Sequence, residues 1–162
     1  MLLYHFTAVE LLESIMREGL TRGDVPLTPT TSRTGVWLTT LYQPDNPGQG
    51  GGSLPSPAMQ HPQLKELSRP EDTEIPPPNK LAVRITVSIL SSDRRLDRWM
   101  RWAPRHLELT WFHMLNELGG GPTLATTWWI YWGIIPPQRF IAVDILDPAV
   151  TLCRNNRAGR PA

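Results

Sequence analysis

The sequence predicts an α+β domain, on three observations. Two short apolar strand segments flank one amphipathic helix within the first forty residues. The run from Leu81 to Ile89 alternates strictly between apolar and polar or small side chains. A Trp-rich helical stretch then ends at Gly119-Gly120-Gly121 and is followed by two further strand-like segments. Strands and helices do not alternate regularly, so nothing demands a doubly wound parallel sheet. The 162 residues suit a single hydrophobic core, spanning residues 1–148 with a basic tail from 149 to 162.

Leu2 to Phe6 is short, apolar and aromatic, which favours a strand. Thr7-Ala8-Val9-Glu10 has the spacing of a capping box, and Leu11, Leu12, Ile15 and Met16 recur at helical spacing until Gly19 stops the helix. A polar Thr- and Pro-containing segment leads to a second strand near Val36 to Thr39. From Gln43 to Asn79 the chain holds nine of its seventeen prolines, together with Gly48, Gly50, Gly51 and Gly52. That composition cannot bury enough apolar surface to offset its ordering entropy, so a long mobile loop and candidate lid is expected. It is not a domain boundary, because each flanking half is too small to fold alone.

In the alternating strand, Leu81, Val83, Ile85, Val87 and Ile89 define one face, which turns Arg84 to the other. Leu96, Trp99 and Met100 predict a helix over 93–102. Leu107, Trp111, Met114, Leu115 and Leu118 predict a second helix, joined to the first at Pro104. Thr126–Trp132 and Arg139–Leu146 read as late strands, separated by Gly133 and a turn at Pro136-Pro137.

Sixteen basic against fifteen acidic side chains give a net charge of +1, and Arg154, Arg157 and Arg160 sit in the tail, leaving a body of net −2. A broad phosphate-neutralising surface for duplex nucleic acid is thereby disfavoured. A single cysteine, Cys153, excludes intramolecular disulfides and thiolate-rich zinc sites. No apolar run approaches the ~20 residues of a membrane span, and no secretory leader is visible, so a soluble cytoplasmic protein is expected. His113 and Glu117 share a helix face at i,i+4 spacing, but two ligands make no metal site, and a solvated face explains them. No Gly-x-x-x-x-Gly-Lys or Gly-x-Ser-x-Gly pattern is present.

Chemistry points first to His5. On a strand, His5 and Thr7 share a face while Tyr4 and Phe6 take the other. An imidazole and a hydroxyl about 7 Å apart, at ~3.3 Å of rise per residue, suit the ribose hydroxyls and carboxamide of a nicotinamide dinucleotide. The alternative is structural, with Thr7 as a helix cap and His5 as a satisfied strand residue. Seven tryptophans are the second signal. Trp99 and Trp111 belong to apolar helix faces, whereas Trp128, Trp129, Ile130, Tyr131 and Trp132 load both faces of one strand, and one face is a candidate stacking surface.

The strand Tyr4-His5-Phe6-Thr7, a helix ending in Glu18-Gly19-Leu20, and Gly35-Val36-Trp37-Leu38-Thr39-Thr40 resemble the N-terminal half of the ADP-ribosyltransferase superfamily. The similarity is to branches with a first-motif histidine: RNA 2′-phosphotransferases, DNA-modifying toxins and compact phage-borne transferases. Gly133-Ile134-Ile135-Pro136-Pro137 and Phe140-Ile141-Ala142-Val143 are similar to that family's closing strands. The resemblance covers about a third of the chain. It implies a compact split β-sheet with flanking helices, NAD as cofactor, and cleavage of the nicotinamide glycosidic bond with transfer to a protein or nucleic acid.

It also implies His5, Thr39 and Tyr131 as catalytic candidates and His5, Phe6, Thr7, Trp37, Thr39 and Trp129 as cofactor contacts, with no metal. The family places a glutamate on the late strand, where it stabilises developing positive charge. Thr126-Thr127-Trp128-Trp129-Ile130-Tyr131-Trp132 carries no carboxylate. The expected function is therefore NAD-dependent ADP-ribosyl transfer, in a toxin, an anti-defence factor or a housekeeping modifier. The alternatives are a non-catalytic nucleotide- or partner-binding module built on the Trp-rich face, and RNA 2′-phosphotransfer with Arg84, Arg94 or Arg95 on phosphate.

Overall fold

Strand β1 (Leu2–Thr7) lies near the middle of a six-stranded sheet, with β4 (Val36–Thr39) on one side and β5 (Val83–Ser88) on the other. The computed structural model describes residues 1–21, 23–43 and 79–146. Apart from Gln43 and Asn79 themselves, the expected loop from Gln43 to Asn79 lies outside the described residues, as does the expected basic tail. The sheet is completed by β6 (Leu96–Arg98), β7 (Trp128–Tyr131) and β8 (Phe140–Ile145), in the order β6-β7-β4-β1-β5-β8, with every pair antiparallel. A separate hairpin is formed by β2 (Asp24–Pro26) and β3 (Ser32–Thr34). Mixed helix and sheet agree with the α+β expectation.

The sheet is nearly two sheets. β1 pairs with β5 at six positions and β4 with β7 at four, yet β1 and β4 meet at Tyr4↔Thr39 alone. A seam therefore separates the half β6-β7-β4 from the half β1-β5-β8. The two faces are covered differently. On one face Leu3, Val36, Leu38, Val83, Ile85 and Val87 pack with Ile15 of α1 (Leu12–Glu18), Leu20 and Ile135. On the other face Trp37, Trp128 and Ile130 pack under α2 (Trp99–His106) and α3 (Leu109–Leu118).

Several local expectations are corrected. Thr7 is not a helix cap: it stays in β1 opposite Val83, is 4% exposed, and leaves Ala8 to cap a 3-10 turn without a side-chain bond. Leu11 and Met16 face solvent, so Ile15 alone is the buried residue of α1. Residues 96–98 form β6 rather than a helix, because β7 offers them an open edge. Pro104 lies inside α2, and the break comes at Leu107, after which Glu108 caps α3 by accepting from the N–H groups of Thr110 and Trp111. The hairpin β2–β3 and the single-turn α4 (Pro122–Ala125) were not expected.

Gly19 ends α1 at φ +86°, and a Cβ there would lie 2.4 Å from the carbonyl oxygen of Ile135. That contact sits on the bridge between Leu20 and Ile135, which ties α1 to the segment leading into β8. Gly19→Ala is expected to cost about 2 kcal/mol or more, from the left-handed backbone together with the clash. Urea denaturation of the variant checks this, and an unchanged midpoint would contradict the packing described.

Candidate functional site

The seam places His5 in an unusual position. Where β1 and β4 diverge, the carbonyl of Trp37 lacks a cross-strand amide, and His5 Nδ1–H donates to it at 2.9 Å. A carbonyl only accepts, so Nδ1 carries the proton and Nε2 keeps its lone pair in the neutral ring. Burial pushes the imidazole below its ordinary pKa of 6.5, against a smaller opposing effect of the bond to Trp37, which holds the neutral form. Among the described residues the only buried side-chain N or O atom without a partner is Asn116 Nδ2, so Nε2 is not sealed away unpaired.

Register then fixes which residues share the histidine's face. His5 pairs with Ile85, and Leu38, on the same side as Leu3 and Val36 in one core cluster, pairs with Trp129. Arg98 follows as the register partner of Trp129. One row therefore runs Ile85, His5, Leu38, Trp129, Arg98 across five strands. His5 and Trp129 are half-buried in it and Arg98 is exposed. Continuing the alternation one residue beyond β4 puts the exposed Thr40 on the same side, its N–H bound to the carbonyl of Thr127.

The expected site residues divide between the two faces. Thr7 is buried on the His5 side, as is Tyr131, which is 0% exposed. Phe6, Trp37 and Thr39 lie on the opposite side of the sheet from His5. Trp37 is packed between Trp99 and Trp128, with ring centroids 5.0 and 6.2 Å away, and its Nε1–H donates to the carbonyl of Asp24. It has no free face for a nicotinamide. The Thr39 hydroxyl donates to Thr127 Oγ1 and accepts from the Leu41 amide. Phe6 is half-buried beside the register partners Arg84 and Asp144.

Tyr131 is held from a different direction. Its hydroxyl lies 3.4 Å from both Asp93 Oδ2 and Arg139 Nη1, while Arg95 grips Asp93 through Nε and Nη2 and lies 4.9 Å over the phenol ring. Burial pushes the Tyr131 phenol up, which keeps it protonated. Arg84 is likewise committed: it bonds Asp144 Oδ2 and the Tyr42 carbonyl, with its guanidinium 3.5 Å over the Tyr42 ring. Neither Arg84 nor Arg95 is a free phosphate ligand. The Trp-rich face is core, since Trp37, Trp99, Trp102, Trp111 and Trp128 form one buried cluster. His113 and Glu117 are exposed, and among the described residues no group of three potential metal ligands occurs. Among the same residues no helix is long and apolar enough to cross a membrane.

No protein-family model, curated protein or solved structure matches the chain.

Thr40 and Arg98 were not singled out from the sequence. For Thr40 the signal was strand parity: a residue an odd number of steps from Leu38 cannot share its face. Asp93 had no signal beyond the neighbouring Arg94-Arg95.

Asp93 also makes a prediction. Hydrogen bonds from the Arg95 side chain and backbone lead in lowering its pKa from 3.8 to about 2. A carboxylate depressed in the native state adds stability above its unfolded pKa and loses it as pH falls through the native value. Wild type and Asp93→Asn should therefore differ most above about pH 4 and converge toward about pH 2. Denaturant midpoints that stay equally separated across that range would remove Asp93 from this role.

Proposed function

We propose that the seam between β1 and β4 is a dinucleotide site and that the protein is an ADP-ribosyltransferase-like NAD-binding protein. The observation that carries this reading is the His5 ring, fixed by the Trp37 carbonyl with Nε2 left as an acceptor, in one row with the half-buried Trp129. Two inter-strand spacings separate His5 from Trp129, about 10 Å at the usual 4.8 Å each. That is the scale of a ribose with its attached aromatic base. His5 Nε2 accepts from a ribose hydroxyl, Leu38 is the apolar floor, Trp129 offers a ring for stacking, and Thr40 supplies a hydroxyl at the rim. When bound, NAD supplies the ADP-ribosyl group for transfer to a macromolecular acceptor.

Support comes from the agreement of two independent features. The sequence resemblance assigns the first-motif histidine to the NAD ribose, and the backbone opens at that histidine. β7 presents Trp129 and Tyr131 on this face where the family carries a glutamate. Turnover at this site runs without a carboxylate from that strand.

The test is thermal stability with and without millimolar NAD for wild type, His5→Ala and Trp129→Ala, each compared with its own unliganded midpoint. A ligand at 100 times its dissociation constant adds about 2.7 kcal/mol. A shift in wild type that is lost in both variants supports the seam. A shift that survives in both, or none in wild type, overturns it. The pH dependence is a second expectation. Because burial holds His5 below 6.5, the NAD shift should persist from pH 8 to about pH 6.5 and decline only at lower pH, as Nε2 takes a proton. Titrating the NAD-dependent shift against pH checks this.

A further inference from the structure

The two edges of the large sheet differ in chemistry. β6, at one edge, is three residues long and carries Asp97 and Arg98. β8, at the other, runs six residues from Phe140 to Ile145, without proline or lysine and with Asp144 as its one charge. That carboxylate is engaged within the chain, by Arg84 Nη2 at 2.9 Å. Ile141, the extra residue where the register slips opposite Thr86 and Val87, is 62% exposed, and Ala142 is exposed as well. Short or charged edges resist further pairing, whereas a longer apolar edge is a template for it.

Hydrogen-bond parity fixes what β8 offers outward. The Leu146 amide donates to the Ala82 carbonyl at 2.7 Å, so Leu146 and Ala82 form a hydrogen-bonded pair, and Asp144 with Arg84, two steps along, is the next. Ile145 with Val83 and Val143 with Ile85 are then the alternate, non-bonded pairs. The far side of β5 agrees. There the Ile89 amide donates to the Met1 carbonyl, which places the bonded pairs with β1 at Val87, Ile85 and Val83. The N–H and C=O groups of Val143 and Ile145 therefore point away from β5, and among the described residues no strand pairs with them.

We propose that this edge pairs antiparallel with the same edge of a second copy, about a twofold axis at Val143. Self-complementarity selects both the occupant and the register. An axis at Asp144 would set two carboxylates directly opposite each other, which is destabilising, and one at Ala142 would set Asp144 against Phe140. An axis at Val143 lets the two Val143 residues exchange both backbone bonds. It also sets Ile145 opposite the exposed Ile141 of the second copy, and Asp144 opposite its Ala142. The two six-stranded sheets then become one. Ile85 is the register partner of both His5 and Val143, so the two histidine rows run collinear on one face, with the imidazoles about 24 Å apart at the usual strand spacing. A six-residue strand is only about 20 Å long, which is modest contact for a permanent dimer, so association is reversible and micromolar. This interface stands independently of the transferase reading.

The test is sedimentation velocity of the full chain from about 1 μM to about 100 μM, on wild type, Val143→Pro, Ala142→Lys and Ala142→Asp. The wild-type mass should rise from one chain of 18.3 kDa toward twice that. Proline is tolerated on an edge where its missing N–H faces outward, so Val143→Pro should keep the circular dichroism of the wild type. It should nevertheless weaken the dimer about tenfold or more, because the two central bonds are lost. Ala142 is exposed, and the proposed register sets it opposite Asp144 of the second copy. Ala142→Lys should therefore tighten the dimer several-fold and Ala142→Asp weaken it several-fold, a comparison that holds whether or not the proline variant folds. A monomer at every concentration, a dimer unmoved by a folded Val143→Pro, or an Ala142→Lys dimer no tighter than that of Ala142→Asp would overturn the pairing.

Discussion

The hydrogen bond from His5 Nδ1 to the Trp37 carbonyl is the contact on which the two halves of this protein turn. An uninterrupted sheet would pair that carbonyl with a backbone amide of β1. The strands separate instead after Tyr4↔Thr39, and a buried carbonyl without a donor costs about 1–3 kcal/mol. The imidazole supplies the missing donor. In doing so it fixes its own tautomer, so a single bond both satisfies the carbonyl and leaves Nε2 as an acceptor. Trp37 is anchored from the other side too, by its indole in the Trp cluster and its Nε1–H on Asp24. The acceptor that orients the histidine is therefore held rigidly by the opposite layer of the domain.

That opposite layer solves a packing problem with tryptophan. Two short helices, one of eight residues and one of ten, must cover one face of the β6-β7-β4 half, and five buried indoles provide the volume. Indoles bring N–H donors that need acceptors when buried. Trp99 uses Asn116 Oδ1 at 2.7 Å, Trp37 uses the carbonyl of Asp24, and Trp111 reaches the carbonyl of Pro26 at 3.4 Å. Two of these three acceptors belong to β2. The small hairpin thus completes the core polar network, while Val25 contributes apolar contact.

What was legible in the sequence follows from this division. Alternation located β5, and the apolar clusters around His5, Val36 and Trp129 located β1, β4 and β7, because period-two patterns survive wherever a strand is half or fully buried. The hairpin β2–β3 was not legible, since its strands are three residues long, one ends in Pro26, and β3 is exposed throughout. β6 was misread because Leu96 and Trp99, three apart, serve a strand and the following helix in turn. Around residues 36–40 the strand was legible, but which side chains share the histidine's face was not, because parity was not applied. Trp37 and Thr39 carry the aromatic ring and hydroxyl that attract notice, yet Leu38 and Thr40 are the ones on the histidine's side. Pattern locates a strand, and only register conveys which side chains share a face.

The two arginine neighbourhoods show why net charge was a poor guide to surface chemistry here. Around Tyr131, Arg95 and Arg139 share Asp93, so their charge is largely spent on locking a buried phenol and a carboxylate together. On α2 the same residue type recurs without any acid, because the helix's inner face is committed to Trp99, Trp102 and Ala103 and its flank is free to be wholly basic. A body of net −2 contains both arrangements at once. Arg98, exposed at the end of β6 and paired with Trp129, lies on the same sheet face as the imidazole three strands away.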